Sequence, residues 1–132
     1  MNALFPHAAR TGDVVVRVAV SFLPEQSELS KERWFWAYHI RIENSGDAPV
    51  QLLTRHWVIT DARGYKQDVE GEGVVGEQPM IAPGESFDYV SGCPLATPTG
   101  TMEGSYRMLR ADGSHFDAEI PCFPLVGPAV TG

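Results

Sequence analysis

Apolar and polar residues alternate along most of this chain, and a period of two predicts strands, not helices. Over residues 14–23, Val14, Val16, Val18, Val20 and Phe22 share one face, and Arg17, Ala19 and Ser21 share the other. Residues 34–44 repeat the pattern with larger side chains. Trp34, Trp36, Tyr38, Ile40 and Ile42 point one way, and Ala37, His39, Arg41 and Glu43, joined by Phe35, point the other. The third run, residues 50–61, breaks phase: Leu53, Trp57 and Ile59 fit one face, while Val50, Leu52 and Val58 fit the opposite one. A β-bulge or a partly two-sided strand accounts for such a break. Further strands are expected near residues 66–69, 86–90, 105–110 and 115–120.

Turn chemistry separates the runs. Asn44-Ser-Gly-Asp-Ala-Pro49 and Asp61-Ala-Arg-Gly64 are turns by residue type. Pro83-Gly84 suits the centre of a type II turn, and Asp112-Gly113 is a hairpin signal. Residues 25–33 tolerate helix but carry no apolar stripe, so they are expected to be a loop. Residues 1–12 and 127–132 lack periodicity and are expected to be flexible termini around one domain spanning 13–126. The expectation is an all-β fold: an immunoglobulin- or fibronectin type III-like β-sandwich of about seven antiparallel strands, with no helix longer than about two turns. The Cys-Trp-Cys hallmark of antibody domains is missing.

Composition narrows the function. At 132 residues, 43% hydrophobic and 20% charged, the chain suits one folded domain. A net charge of −7 opposes approach to nucleic acid, which is excluded as the expected partner. Cys93 and Cys122 form no zinc-type spacing. With no leader pattern and no apolar run of membrane length, the expectation is a cytoplasmic protein, away from the membrane, with both thiols reduced and unbridged.

The chemistry-bearing candidates are few. Gly71-Glu-Gly73-Val-Val-Gly76 matches G-x-G-x-x-G. A dinucleotide loop must open a helix whose N-terminus holds the pyrophosphate, but Pro79 and Pro83 forbid that helix. Glu72 and Glu77 would also repel phosphate. The glycines are therefore expected to serve backbone geometry, with a small backbone anion nest left open as an alternative. Asp68, Glu70, Glu72 and Glu77 could hold magnesium weakly, but a solvated acidic face is favoured, and no metal site is assigned. Arg55 and His56, with His39 nearby in type, form a candidate polar surface on a sheet face. No nucleophile elbow, triad order, paired-carboxylate signature or Walker motif is present, so no catalytic residue is assigned. The three Trp residues are expected in the core.

Several strings carry a family resemblance. They are Pro49-Val-Gln-Leu-Leu-Thr-Arg-His-Trp-Val-Ile-Thr-Asp61, Gly71-Glu-Gly-Val-Val-Gly-Glu-Gln-Pro79, Ile81-Ala-Pro-Gly-Glu-Ser-Phe87 and Gly100-Thr-Met-Glu-Gly-Ser-Tyr106, with Phe116 and Ile120-Pro121 beyond. Together they resemble the ApaG family over roughly residues 13–126. The resemblance implies a fibronectin type III-like sandwich. It also implies an indirect link to cobalt resistance and magnesium efflux in bacteria, and protein binding in eukaryotic F-box and polymerase-delta-interacting proteins. The combined expectation is a non-enzymatic module without cofactor that binds an unidentified protein, with homodimerisation through a sheet edge as a further possibility. The alternative is binding of phosphate, pyrophosphate or a divalent cation through residues 68–78, with Gly71, Glu72, Gly73, Gly76 and Gln78 as contacts.

Overall fold

The structure, a computed structural model, describes residues 5–128. Its alternating runs form β1 (His7–Thr11), β2 (Val14–Phe22), β3 (Trp34–Asn44), β4 (Val50–Asp61), β5 (Lys66–Glu72), β6 (Met80–Ile81), β7 (Ser86–Leu95), β8 (Thr99–Arg110) and β9 (His115–Val126). One sheet has the order β1-β2-β3-β7, and the other β5-β4-β8-β9 with β6 paired to the start of β4. All pairings are antiparallel. This is a β-sandwich of the expected immunoglobulin or fibronectin type III kind.

The inner faces follow the alternation. Val16, Val18, Trp36, Tyr38 and Ile40 are all buried and pack against Leu52, Trp57, Tyr106, Met108, Ile120 and Phe123 of the second sheet. The broken phase of β4 resolves as a bulge: its register against β8 slips between Leu52 and Thr54. Val50 and Leu52 face inward before the bulge; Arg55, Trp57 and Ile59 face inward after it. One extra residue thus keeps both halves of the strand on the core.

Three features depart from the sequence reading. The described residues hold nine strands, not about seven, because β1 and β6 lie in segments without β-branched alternation. Residues 7–11, read as part of a loose terminus, pair along β2, and Phe5 is buried with its ring edge-on to His39 and under the Arg41 guanidinium. Gly127 at the start of the expected tail donates its N–H to the Pro98 carbonyl. Residues 25–33 form the expected connection without an α-helix, with two short 3-10 turns at Pro24–Gln26 and Leu29–Lys31. Residues 1–4 and 129–132, the outer parts of the expected termini, lie outside the described residues.

Candidate functional site

The glycine motif folds into a hairpin lip beside β4. Val74 and Glu77 exchange backbone hydrogen bonds of 2.8 and 2.9 Å, closing a two-residue turn on Val75 and Gly76. Both central residues have positive φ, 43° and 82°, the signature of a type I′ turn. Gly73 also has positive φ (64°), and a Cβ there would lie 2.2 Å from the Glu77 carbonyl oxygen. No helix follows; the chain passes directly into β6.

The lip is moored to the β4 bulge. The Leu53 carbonyl accepts the Gly73 N–H at 2.8 Å and the Gln78 Nε2–H at 2.9 Å, while Gln51 Nε2 donates to the Gln78 carbonyl. The backbone N–H groups of Gly73, Val74 and Glu77 are therefore already engaged. Gln78 acts as a structural clasp and Glu72 is exposed at the rim.

Arg55 and His56 do not share a surface. Neighbours in a strand face opposite ways, and the bulge decides which goes inward. His56 lies on the outer face with Nε2 2.9 Å from Asp68 Oδ1. Arg55 points between the sheets, where Nη1 donates to the carbonyls of Glu72 (3.1 Å) and Gly73 (2.8 Å). Gly71 makes this possible, since a Cβ there would sit 2.7 Å from Arg55 Nη2. Among the described residues no carboxylate pairs with Arg55. His39 of β3 is also on an outer face, bonded to Asp88, which in turn takes a two-pronged bond from Arg41. Those donors, Arg41 first, hold the Asp88 carboxyl below its usual range.

Arg55 reaches into a cleft that opens between β5 and β7. Two lobes of about 270 and 370 Å³ meet at Tyr38, Arg55, Trp57 and Ser91. Val69 and Cys93 line the first lobe; Val74, Val75 and Tyr89 line the second. Inward from the cleft runs a polar seam. Ser91 and Tyr38 line it together, and Tyr89 shares a short hydroxyl–hydroxyl hydrogen bond with buried Tyr106. Burial pushes the Tyr38, Tyr89 and Tyr106 hydroxyls above the ordinary tyrosine range, so all three stay protonated donors at neutral pH. Burial likewise pushes the Cys93 thiol up to about 11. Both cysteines are free: Cys93 faces the core from the first sheet, and Cys122 is exposed on the second. Among the described residues no cluster of three or more His, Cys, Asp or Glu is placed to hold a metal, and no helix is long and apolar enough to cross a membrane.

Sequence reasoning missed Ser91, Tyr89 and Val75 as members of the cleft. Val75 carried the one readable signal: a β-branched residue sits where a type I′ turn ordinarily takes Asn, Asp or Gly.

Comparison with known proteins adds the following. The family described as the ApaG domain matches residues 24–110. A Bradyrhizobium protein named Protein ApaG is 53% identical over 122 residues, covering 92% of this chain and 94% of that protein. Protein ApaG of Aromatoleum aromaticum is 53% identical over 117 residues, covering 89% and 92%. A crystal structure of a Bordetella pertussis protein assigned as ApaA superimposes with a TM-score of 0.85 at 47% identity, covering 89% of this chain and 96% of that one.

Proposed function

The chain belongs to the ApaG domain family, and on that premise we propose that it is a non-catalytic module that binds a protein partner along its open side. The observation that carries the reading is Val75. A β-branched residue at φ 43° costs on the order of 1–2 kcal/mol relative to the right-handed regions. Its side chain is 57% exposed at the lip, so the strain brings no core packing in return. Strain of this kind, held in place by surrounding structure, is characteristic of recognition segments. Met80 and Val90 add two more exposed apolar side chains, from β6 and β7.

The partner is an extended segment of another protein, added as a strand to the free edge of β7. Edge-strand addition takes its affinity from main-chain hydrogen bonds and its specificity from alternate side chains entering pockets. Any contribution to cobalt resistance or magnesium efflux is then indirect, exerted through the partner. The setting is the cytoplasm, where a reducing poise keeps both thiols free.

Capture from native extract tests the reading. Val75→Asn keeps the turn and removes the apolar tip, so the wild type should retain a partner that the variant loses at unchanged or higher melting temperature. With isolated partner added, the backbone amides of β7 should shift in nuclear magnetic resonance spectra. Capture that survives Val75→Asn, with β7 amides unmoved, would overturn the proposal. Self-association measured by sedimentation, lost in the same variant, would identify a second copy of the chain as the occupant.

A further inference from the structure

Hydrophobic packing does not choose a polar seam. Burying hydroxyls and a guanidinium costs free energy unless each finds partners, and strands β2 and β9 fill their part of the core with apolar side chains such as Val16, Val18, Ile120 and Phe123. On the open side the seam of Tyr89, Tyr38 and Ser91 runs outward to Arg55. The Arg55 guanidinium has five N–H donors, of which only those on Nη1 are bonded among the described residues. Those two carbonyl bonds hold the side chain in one orientation and leave Nε and Nη2 without a partner among the described residues, on a side chain that lines both lobes of the cleft. A fork of that kind matches a planar carboxylate with two parallel hydrogen bonds.

From this geometry we infer that the cleft is a binding site for a single carboxylate group, gripped by the free edge of Arg55 and completed by the hydroxyls of Ser91 and Tyr38. The inference rests on the open-side reading above, and names the group that an incoming segment presents. The choice of a carboxylate over a polyphosphate follows from the surroundings. Glu72 stands at the rim, and the whole chain carries −7, so a polyphosphate would meet repulsion that one carboxylate largely escapes. A Glu or Asp side chain of a docked segment and a free small dicarboxylate offer the same chemistry, and the experiment separates them.

The readout is the Arg55 Nε–Hε signal in the nuclear magnetic resonance spectrum of the whole ¹⁵N-labelled chain. The probes are glutarate, inorganic phosphate, and two capped peptides, acetyl-Val-Glu-Val-amide and acetyl-Val-Gln-Val-amide. The Glu peptide and glutarate should both move the Arg55 signal saturably, and the Gln peptide should bind at least about ten-fold more weakly. Arg55→Gln should weaken carboxylate binding by about ten-fold or more. Because that change also releases the lip, Ser91→Ala serves as the second variant. It leaves both Arg55 carbonyl bonds intact and should weaken binding about three-fold. Arg107→Gln, on the outer face, should change nothing. An Arg55 signal that stays still, or that moves no more than Arg107's, would overturn the site. Stronger binding of phosphate than of glutarate would overturn the choice of carboxylate. Glutarate binding without peptide binding keeps the site and removes the open-side reading; β7 amide shifts with a silent Arg55 do the reverse.

Discussion

The two long sides of the sandwich are finished in opposite ways. On one side β1 lies against β9, the Thr11 hydroxyl oxygen accepts the Glu119 N–H at 3.0 Å, and the His7 ring stacks near Phe123. The seam is shut and its interior is apolar. On the other side β5 and β7 belong to different sheets and do not pair. The gap between them holds an arginine, a serine and tyrosine hydroxyls, and its lip is built on a strained turn. The closed side maximises burial. The open side gives some of that up, which is how proteins carry sites that need accessible polar groups.

That contrast can be broken by measurement, and the largest effect belongs to the closed side. Phe123 is fully buried and touches Tyr38, Trp57 and His7. Phe123→Ala should cost about 3–5 kcal/mol in a urea titration. A cost below about 1 kcal/mol would mean that the core does not centre there.

Next comes the lip. Gly73→Ala meets both a left-handed backbone and the Glu77 carbonyl, and should cost about 2–3 kcal/mol; Gly76→Ala, with open space around it, should cost only about 1 kcal/mol. Equal losses at the two positions would remove the steric half of the argument.

The polar seam predicts sensitivity to alkali. The folded pKa values of Tyr38, Tyr89 and Tyr106 are raised above 10. Their contribution is therefore fully present below about pH 10 and is lost as pH rises towards the folded values. Each such tyrosine should add a slope of about 1.4 kcal/mol per pH unit in that window. Urea titrations in steps of about one pH unit from about pH 8 to about pH 11 should show a plateau followed by a fall above about pH 10; a profile that stays flat throughout would argue that the hydroxyls are not buried.

The smallest effect has the opposite sign. Val75→Asn installs the Asn-Gly pair that type I′ turns favour and should raise stability by about 0.5–1 kcal/mol while abolishing partner capture. A loss of stability there would show that Val75 is held by packing, and that its strain has no functional meaning.

The core was the legible part of the molecule. In β2 and β3 the alternation of Val16, Val18, Trp36, Tyr38 and Ile40 with small or charged neighbours determines which face is buried, because nothing in the tertiary structure competes with it. The phase break in β4 was visible too, and its cause is the bulge at Leu53. Less legible was the consequence. Arg55 and His56 read as one polar surface because local pattern cannot say on which side of a bulge an arginine emerges. That is settled by the pairing with β8 and by the space Gly71 leaves. Strand β1 was missed because His-Ala-Ala-Arg-Thr has weak strand preference and is held by its partner β2. The glycine motif was readable as geometry, since the prolines behind it exclude a helix, but its turn type depends on Val75, whose conformation runs against its own preference.

The extra residue in β4 has an evolutionary consequence. Leu53 offers its carbonyl to Gly73 and Gln78, some twenty residues later in the chain. An insertion in a strand and a distant glycine string are therefore a single heritable unit. A lineage that lost the inserted residue would leave the lip without its mooring, and one that lost the string would leave the carbonyl without its donors. Among relatives, length variation at position 53 and divergence of residues 73–78 should arise on the same branches of the tree.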